Sequence, residues 1–187
     1  MGSLALVVCL SMSSSPAAAN QDHDPELRAA LMQTVNEAES FVDRFDAEVW
    51  LVDMSSRMTK YIEDPQTRLQ FLKLVHLEAK RADLSPELVL SVIYVESRFD
   101  KYAISRVGAQ GLMQVMPFWK SEIGRPDDNL TNTGTNLRYG CTILKHYLDK
   151  EKGNLIRALA RYNGSLGKTW YPEKVMNAWE RYWFVQH

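Results

Sequence analysis

Cysteine, net charge and long apolar runs are all scarce in this chain of 187 residues. The cysteines are Cys9 and Cys141. Cys9 lies in a leader expected to be removed, which leaves one cysteine and excludes an internal disulfide. Cys141 falls in an apolar helical pattern and reads as a small core residue. The formal net charge is -1, so no basic surplus points to a nucleic-acid partner. The apolar run from Leu4 to Met12 is too short to cross a bilayer, and no stable membrane span is expected. The histidines, His23, His76, His146 and His187, fall at no paired ligand spacing, so no metal is expected. "GSLGKT", Gly164 to Thr169, lacks the first glycine of a phosphate loop, because Tyr162 stands there. No G-x-S-x-G elbow occurs, and no residue cluster implies a cofactor. Strand-like alternation is missing as well, apart from room for a minimal hairpin near residues 99–110.

What is present begins with the leader. The short apolar run is followed by "SSSPAAAN", with small residues at Ala17 and Ala19. This is the pattern of a secretory signal peptide over residues 1–19, cleaved after Ala19, although its first residues carry no Lys or Arg. Val8 before Cys9 is not the small residue a lipoprotein signal wants. A soluble, exported protein is therefore expected.

Residues 20–80 read as an N-terminal helical extension. Leu27, Leu31, Val35 and Ala38 repeat every three to four positions, as do apolar residues through "AEVWLVDMSSRMTKYI". Asp64 and Pro65 open a further helix. His76, alone among these segments, is read as structural or surface.

Residues 81–187 read as a second unit. Ser85, Pro86 and Glu87 start a helix by cap, first-turn proline and favourable dipole. "RFDKYAISRVGAQG" is loop-like. "LMQVMPFWKSEIG" is expected as a short helix interrupted around Pro117. "TNLRYGCTILKHYLDKEKG" is a helix ended by Gly153, with Leu137, Ile143, Leu144, Tyr147 and Leu148 inward. "NLIRALARYN" is a shorter helix, "GSLGKTWYP" a loop, and "EKVMNAWERYWFV" an aromatic-rich closing helix. The fold class is mainly α.

The helix "LVLSVIYVES" poses the chemical question. Counting back from Glu96 by three, four and seven gives Ile93, Val92 and Val89. All share its face, so the carboxylate projects from the core-facing stripe at the helix's C-terminal end. Partial burial and the negative end of the dipole both raise a glutamate's pKa. A glutamate protonated near neutral pH is a proton donor, as a glycosidic oxygen requires of a general acid. The alternative is an ion pair at the helix edge with Arg98, Lys101 or Arg106, and periodicity alone does not choose between them.

The sequence downstream does. "ESRFDKYAISRVGAQGLMQVMP", Glu96 to Pro117, resembles the catalytic segment of soluble-type lytic transglycosylases, the SLT domain related to goose-type lysozyme (glycoside hydrolase family 23). The matching elements are Glu96-Ser97, Ser105, Gly108-Ala109, Gly111 to Gln114 and Met116-Pro117. "NLRYG", Asn136 to Gly140, and "ALARYNGS", Ala158 to Ser165, match two further motifs in order.

The resemblance implies a lysozyme-like helical domain that cleaves the β-1,4 bond between N-acetylmuramic acid and N-acetylglucosamine in peptidoglycan, in the periplasm. It implies Glu96 as the single acid and base, with the muramic acid's own 6-hydroxyl closing a 1,6-anhydro ring. No second carboxylate is then needed, unlike in the usual two-carboxylate glycosidase. It further implies that Ser105 bonds an N-acetyl group, that Gln114 and Met116 line the sugar cleft, and that Tyr162 and Asn163 stand near the acid. Met116 and Tyr162 also fit plain core packing. "YNGS" replaces the family's commoner Ala-Gly-Pro continuation. Glycan strands are the expected partner, and the chain is expected to act as a monomer. Two other outcomes stay open: a hydrolytic lysozyme-type muramidase using Asp100 or Glu122 to position water, and a non-catalytic wall-binding protein of the same fold.

Overall fold

The computed structural model describes residues 44–185. The signal peptide expected over 1–19 and the helix read from Leu27 to Ala38 lie outside these residues.

The described residues form helices α1 (Arg44–Arg57), α2 (Pro65–Arg81), α3 (Pro86–Glu96), α4 (Trp119–Ile123), α5 (Thr133–Lys150), α6 (Leu155–Tyr162) and α7 (Trp170–Ala178), then a π-helical turn, Trp179–Trp183. Strand pairing among them is limited to the isolated bridges Ile104–Gln110 and Gln110–Val115. The mainly α expectation holds, and the minimal hairpin is reduced to these bridges.

Helix α3 is the centre of the molecule. Leu88, Val89, Leu90, Ser91, Val92 and Ile93 are all buried, so the helix is covered on every side, as an apolar run without a polar face requires. Eleven residues are too few for a stable isolated helix. Burial supplies the difference, at about 1.5–3 kcal/mol for each fully buried aliphatic side chain. Its walls are α2, α7 and the π turn.

Buried polar groups tie the flanking helices to this core. The side chain of Asp64 caps α2 by accepting from Thr67 N at 2.7 Å. Arg68, buried in α2, donates to Ser55 Oγ at 2.9 Å and to the Ile62 carbonyl at 2.6 Å, fixing the α1–α2 turn. Glu78 is buried and pairs with Arg81 at 2.6 Å and with Arg138 of α5 at 3.0 Å. Glu87 sits in the first turn of α3 as expected but is also buried. Its carboxylate accepts from the Trp50 indole and from Ser85 Oγ, each at 2.5 Å. His76 is buried, edge-on to Trp50 with ring centroids 5.2 Å apart. Desolvation lowers its pKa to about 4, a structural histidine as read. Cys141 is fully buried, also as read.

Two expected boundaries move. "LMQVMP" is not helical: Gly111 and Gln114 take positive φ angles of 73° and 49°, which no helix accommodates, and helix resumes only at Trp119. The closing helix starts at Trp170 rather than Glu173. Pro172 falls in its first turn, where the missing N–H costs nothing. At Trp179 the helix widens to a π turn, closed by Phe184 N to the Trp179 carbonyl at 2.8 Å. Within that turn Trp183 is fully buried, with ring centroids 5.5 Å from Phe99 and 6.3 Å from Tyr61.

Candidate active site

Glu96 is the last residue of α3. The helix stops because the chain turns through two left-handed residues, Arg98 at φ 54° and Phe99 at φ 69°. Such backbone costs about 1–3 kcal/mol per residue and persists only where packing holds it. Phe99 is held: it is buried against Tyr61, Phe71 and Trp183. Ser97 adds a tether, with its hydroxyl 2.8 Å from the Leu112 carbonyl and 3.2 Å from that of Ile93. The serine of the Glu-Ser pair thus fastens the acid-bearing helix end to the glycine-rich segment.

The Glu96 carboxylate is half-buried and forms no ion pair among the described residues. Arg98, its nearest expected partner, lies over the Tyr94 ring at 3.8 Å instead. Glu96 Oε1 accepts a 2.5 Å hydrogen bond from Tyr171 Oη. Burial raises the Glu96 pKa to about 7, and the Tyr171 hydrogen bond, which favours the carboxylate, opposes that rise. The Tyr171 hydroxyl is itself pushed well above its ordinary range by burial and by the Glu96 charge, so it stays a donor.

Glu96 opens on a cleft of about 470 Å³ whose lining includes Tyr94, Asn163, Trp170, Tyr171, Lys174 and Arg181. It is the only carboxylate in that lining among the described residues. Asp100 is exposed and accepts from Tyr102 N at 2.9 Å, closing a turn, and Glu122 is exposed on α4. Neither faces the cleft.

The expected site residues divide. Asn163 lines the cleft with Glu96, and its Nδ2 donates to Ser165 Oγ at 3.1 Å. Tyr162 is near enough for the Glu96 charge to raise its hydroxyl's pKa, after burial, well above the ordinary value. That hydroxyl donates to the Met113 carbonyl at 2.7 Å. Ser105, Gln114 and Met116 lie on the 103–117 loop, outside the cleft lining. Ser105 Oγ accepts from Ala109 N at 3.0 Å. Gln114 Nε2 donates to the carbonyls of Gly111 at 3.0 Å and Ala103 at 3.2 Å. Met116 is half-buried.

The "NLRYG" stretch positions this loop. Asn136 is buried; its Oδ1 accepts from Met113 N at 2.8 Å, and its Nδ2 donates to the carbonyls of Leu130 at 2.7 Å and Gln110 at 2.9 Å. Gly111 permits this approach, since a Cβ there would fall 2.5 Å from Asn136 Nδ2. One turn later, Gly140 leaves room for Met113, whose Sδ would lie 2.3 Å from an added Cβ. Helix α5 thus grips the segment that presents Met113 to Tyr162.

Tyr171 and Trp170 escape a sequence reading. Pro172 marks a helix start, which places both residues in a first turn. No local signal shows that this turn packs beside the end of α3.

Comparison with known proteins follows the same stretch of chain. The family described as "Transglycosylase SLT domain" matches residues 73–181. A 48-residue stretch is 50% identical to membrane-bound lytic murein transglycosylase C of Actinobacillus pleuropneumoniae, covering 26% of this chain and 13% of that protein. Over 115 residues the chain is 32% identical to the transglycosylase of Enterobacteria phage PRD1, covering 58% of this chain and 42% of that protein. Over 131 residues it is 33% identical to membrane-bound lytic murein transglycosylase F of Desulfosudis oleivorans, covering 67% of this chain and 27% of that protein. Among solved structures, an inactive mutant of lytic transglycosylase Slt from Pseudomonas aeruginosa is similar at a TM-score of 0.46 and 22% identity, over 88% of this chain and 32% of that one. The chain spans less than half the length of each of these relatives. No helix among the described residues is long and apolar enough to cross a membrane. The matched region takes in more than half of the chain, with Glu96, the Asn136 clamp and Tyr171 all inside it, and on that basis the chain belongs to the transglycosylase SLT-domain family.

Proposed function

We propose that the protein is a peptidoglycan lytic transglycosylase that uses Glu96 as its single acid and base. The observation that carries this reading is a half-buried glutamate, hydrogen-bonded by Tyr171 and alone among the carboxylates of the described residues in lining its cleft, where burial pushes its pKa up to about 7. A pKa close to the working pH suits a group that must first give and then take a proton.

The protonated Glu96 donates to the oxygen linking N-acetylmuramic acid to N-acetylglucosamine, and the bond from that oxygen to the muramic C1 breaks. The neighbouring N-acetyl group stabilises the positive charge left at C1. The Glu96 carboxylate then removes the proton from the muramic 6-hydroxyl, whose oxygen bonds to C1. A 1,6-anhydro ring results, no water is consumed, and Glu96 ends protonated as it began. An inverting hydrolase would need a second group to activate water on the opposite face, and neither Asp100 nor Glu122 lines the cleft.

Tyr171 positions the carboxylate and stabilises it between the two proton transfers. Trp170, 45% exposed at the cleft, offers a flat face to a sugar ring. Asn163 presents an amide to the same space. Tyr162 acts through Met113, supporting the cleft wall. Ser105, Gln114 and Met116 shape the loop, and any contact they make with sugar lies farther along the strand. The leader with Ala17 and Ala19 supports export to the periplasm, where the substrate is.

Digestion of purified peptidoglycan tests the reading. Products ending in 1,6-anhydro-muramic acid are expected from the wild type and are lost in Glu96→Gln. Reducing ends without anhydro sugar would indicate a hydrolase, and binding without turnover would indicate a wall-binding protein.

A further inference from the structure

A second pocket of about 300 Å³ adjoins the cleft and is lined by Arg57, Lys60, Tyr61, Arg181, Tyr182 and Trp183. Arg181 and Tyr182 line both, so the cleft and the pocket meet at these side chains as the two parts of a groove. Arg57, Lys60 and Tyr61 lie ahead of residue 73, where the family match begins. This end of the groove therefore belongs to the part of the chain that precedes the matched region.

The pocket is a cationic rim on an aromatic floor. Arg57 is fixed in the wall: it pairs with Asp53 at 2.7 Å and donates to the carbonyls of Tyr182 at 3.0 Å and Phe184 at 3.1 Å. Lys60 and Arg181 are exposed and form no ion pair among the described residues. The Lys60 ammonium stands 5.0 Å from the Tyr61 ring centre and 5.3 Å from that of Tyr182. Below them the buried Trp183 indole N–H has no acceptor among the described residues. Arg98 and Lys174 add cations along the cleft. The chain as a whole carries a net charge of -1, so this concentration of positive charge is local.

We propose that this groove binds the stem peptide of the substrate, with Lys60 and Arg181 engaging its carboxylates. The proposal rests on the peptidoglycan reading above. The sugars of that polymer are neutral where their lactyl groups are amide-linked, and its negative charge resides on the stem carboxylates. The stems also carry alanine methyls, which suit an aromatic floor, while mobile ammonium and guanidinium groups suit carboxylates. A stem leaving the muramic acid beside Glu96 would pass Arg181 on its way to Lys60. The contact gives this enzyme a preference for peptide-bearing strands.

The full chain carrying Glu96→Gln is used, so that binding is read without turnover. Soluble glycan strands with native stems are compared with the same strands after their stem carboxylates have been converted to amides. Native strands are expected to bind about tenfold tighter, a ratio typical of one or two exposed charge-assisted contacts, and the advantage should shrink as salt rises. Adding Lys60→Gln should remove most of the advantage and leave binding of amidated strands unchanged, while Lys60→Arg should retain it; adding Arg181→Gln as well should abolish what remains of the advantage. Equal binding of native and amidated strands overturns the proposal, as does equal weakening of both by Lys60→Gln. If both strand types bind equally and the parent protein still forms anhydro products, the stem-peptide proposal falls alone. If neither strand type binds, the peptidoglycan reading falls with it. Binding to vesicles of anionic phospholipid that is lost in the same variants, without discrimination between strands, would assign the groove to a membrane surface instead.

Discussion

Tyr171 donates a 2.5 Å hydrogen bond to the carboxylate of Glu96, joining the first turn of α7 to the last turn of α3 across 75 positions of sequence. The bond opposes the effect of the carboxylate's surroundings. Burial favours the neutral acid, and the tyrosine favours the anion. Their balance leaves the group able to exist in either state near neutral pH.

That balance sets the pH profile. The first proton transfer needs Glu96 protonated, so the rate should fall as pH rises through about 7. Tyr171→Phe removes the influence that lowers the pKa, so the alkaline limb should move to higher pH. The maximal rate should also fall, by about tenfold or more, as the carboxylate loses a positioning contact. Initial rates measured against pH for both proteins check this. An unmoved limb would mean that Tyr171 does not bear on the titrating group.

Stability should carry the same signature. The ordinary value for Glu96 is 4.5 and its folded value about 7. Below the lower value the group is neutral in both folded and unfolded chains. Above the higher one it is ionised in both, and holding the anion in the fold costs energy. Glu96→Gln should therefore match the wild type in stability at pH 4. By pH 8 it should exceed it by up to about 3 kcal/mol. Urea unfolding at the two pH values measures the difference. A destabilised variant at pH 8 would contradict the account.

Asn136 makes three hydrogen bonds to backbone groups of the loop and its flank. Asn136→Ala would take the side-chain partner from the Met113 N–H and the Leu130 carbonyl, while the Gln110 carbonyl keeps the Val115 N–H at 2.9 Å, at a cost of about 2 kcal/mol or more. The thermal midpoint should drop accordingly, and activity should fall at temperatures where the protein is still folded. Unchanged unfolding would show that water replaces the side chain.

Gly140 faces Met113, and Met113 carries the carbonyl bonded by Tyr162. Gly140→Ala would force Met113 to move, because the new Cβ would lie 2.7 Å from its Cβ as well as close to its flexible sulfur end. A loss of about 1–3 kcal/mol is expected. The rate should fall more than binding does, which separate measurement of kcat and KM would reveal.

The sequence made the helical class legible because its apolar spacing and its caps agree. Asp64-Pro65 and Ser85-Pro86 open their helices as read. The face count put Glu96 on the inward stripe, and the structure finds it half-buried there with a raised pKa. Legibility failed where the decisive neighbour is distant in sequence. "LMQVMP" has helical composition, yet Asn136 and the positive φ of Gly111 and Gln114 hold it as a loop. Tyr171 lay in a segment read as loop, since the packing of α7 on α3 leaves no local trace. Glu87 shows a milder form of the same limit. Its place at a helix start was legible, but its burial under Trp50 was not.

Mass spectrometry of sacculus digests, wild type beside Glu96→Gln, tests the central claim most directly. The account predicts muropeptides ending in 1,6-anhydro-muramic acid from the wild type, with no incorporation of solvent oxygen when digestion is run in ¹⁸O-labelled water, and no such products from the variant. Products bearing one solvent oxygen at the muramic C1, or undiminished anhydro products from Glu96→Gln, would contradict it.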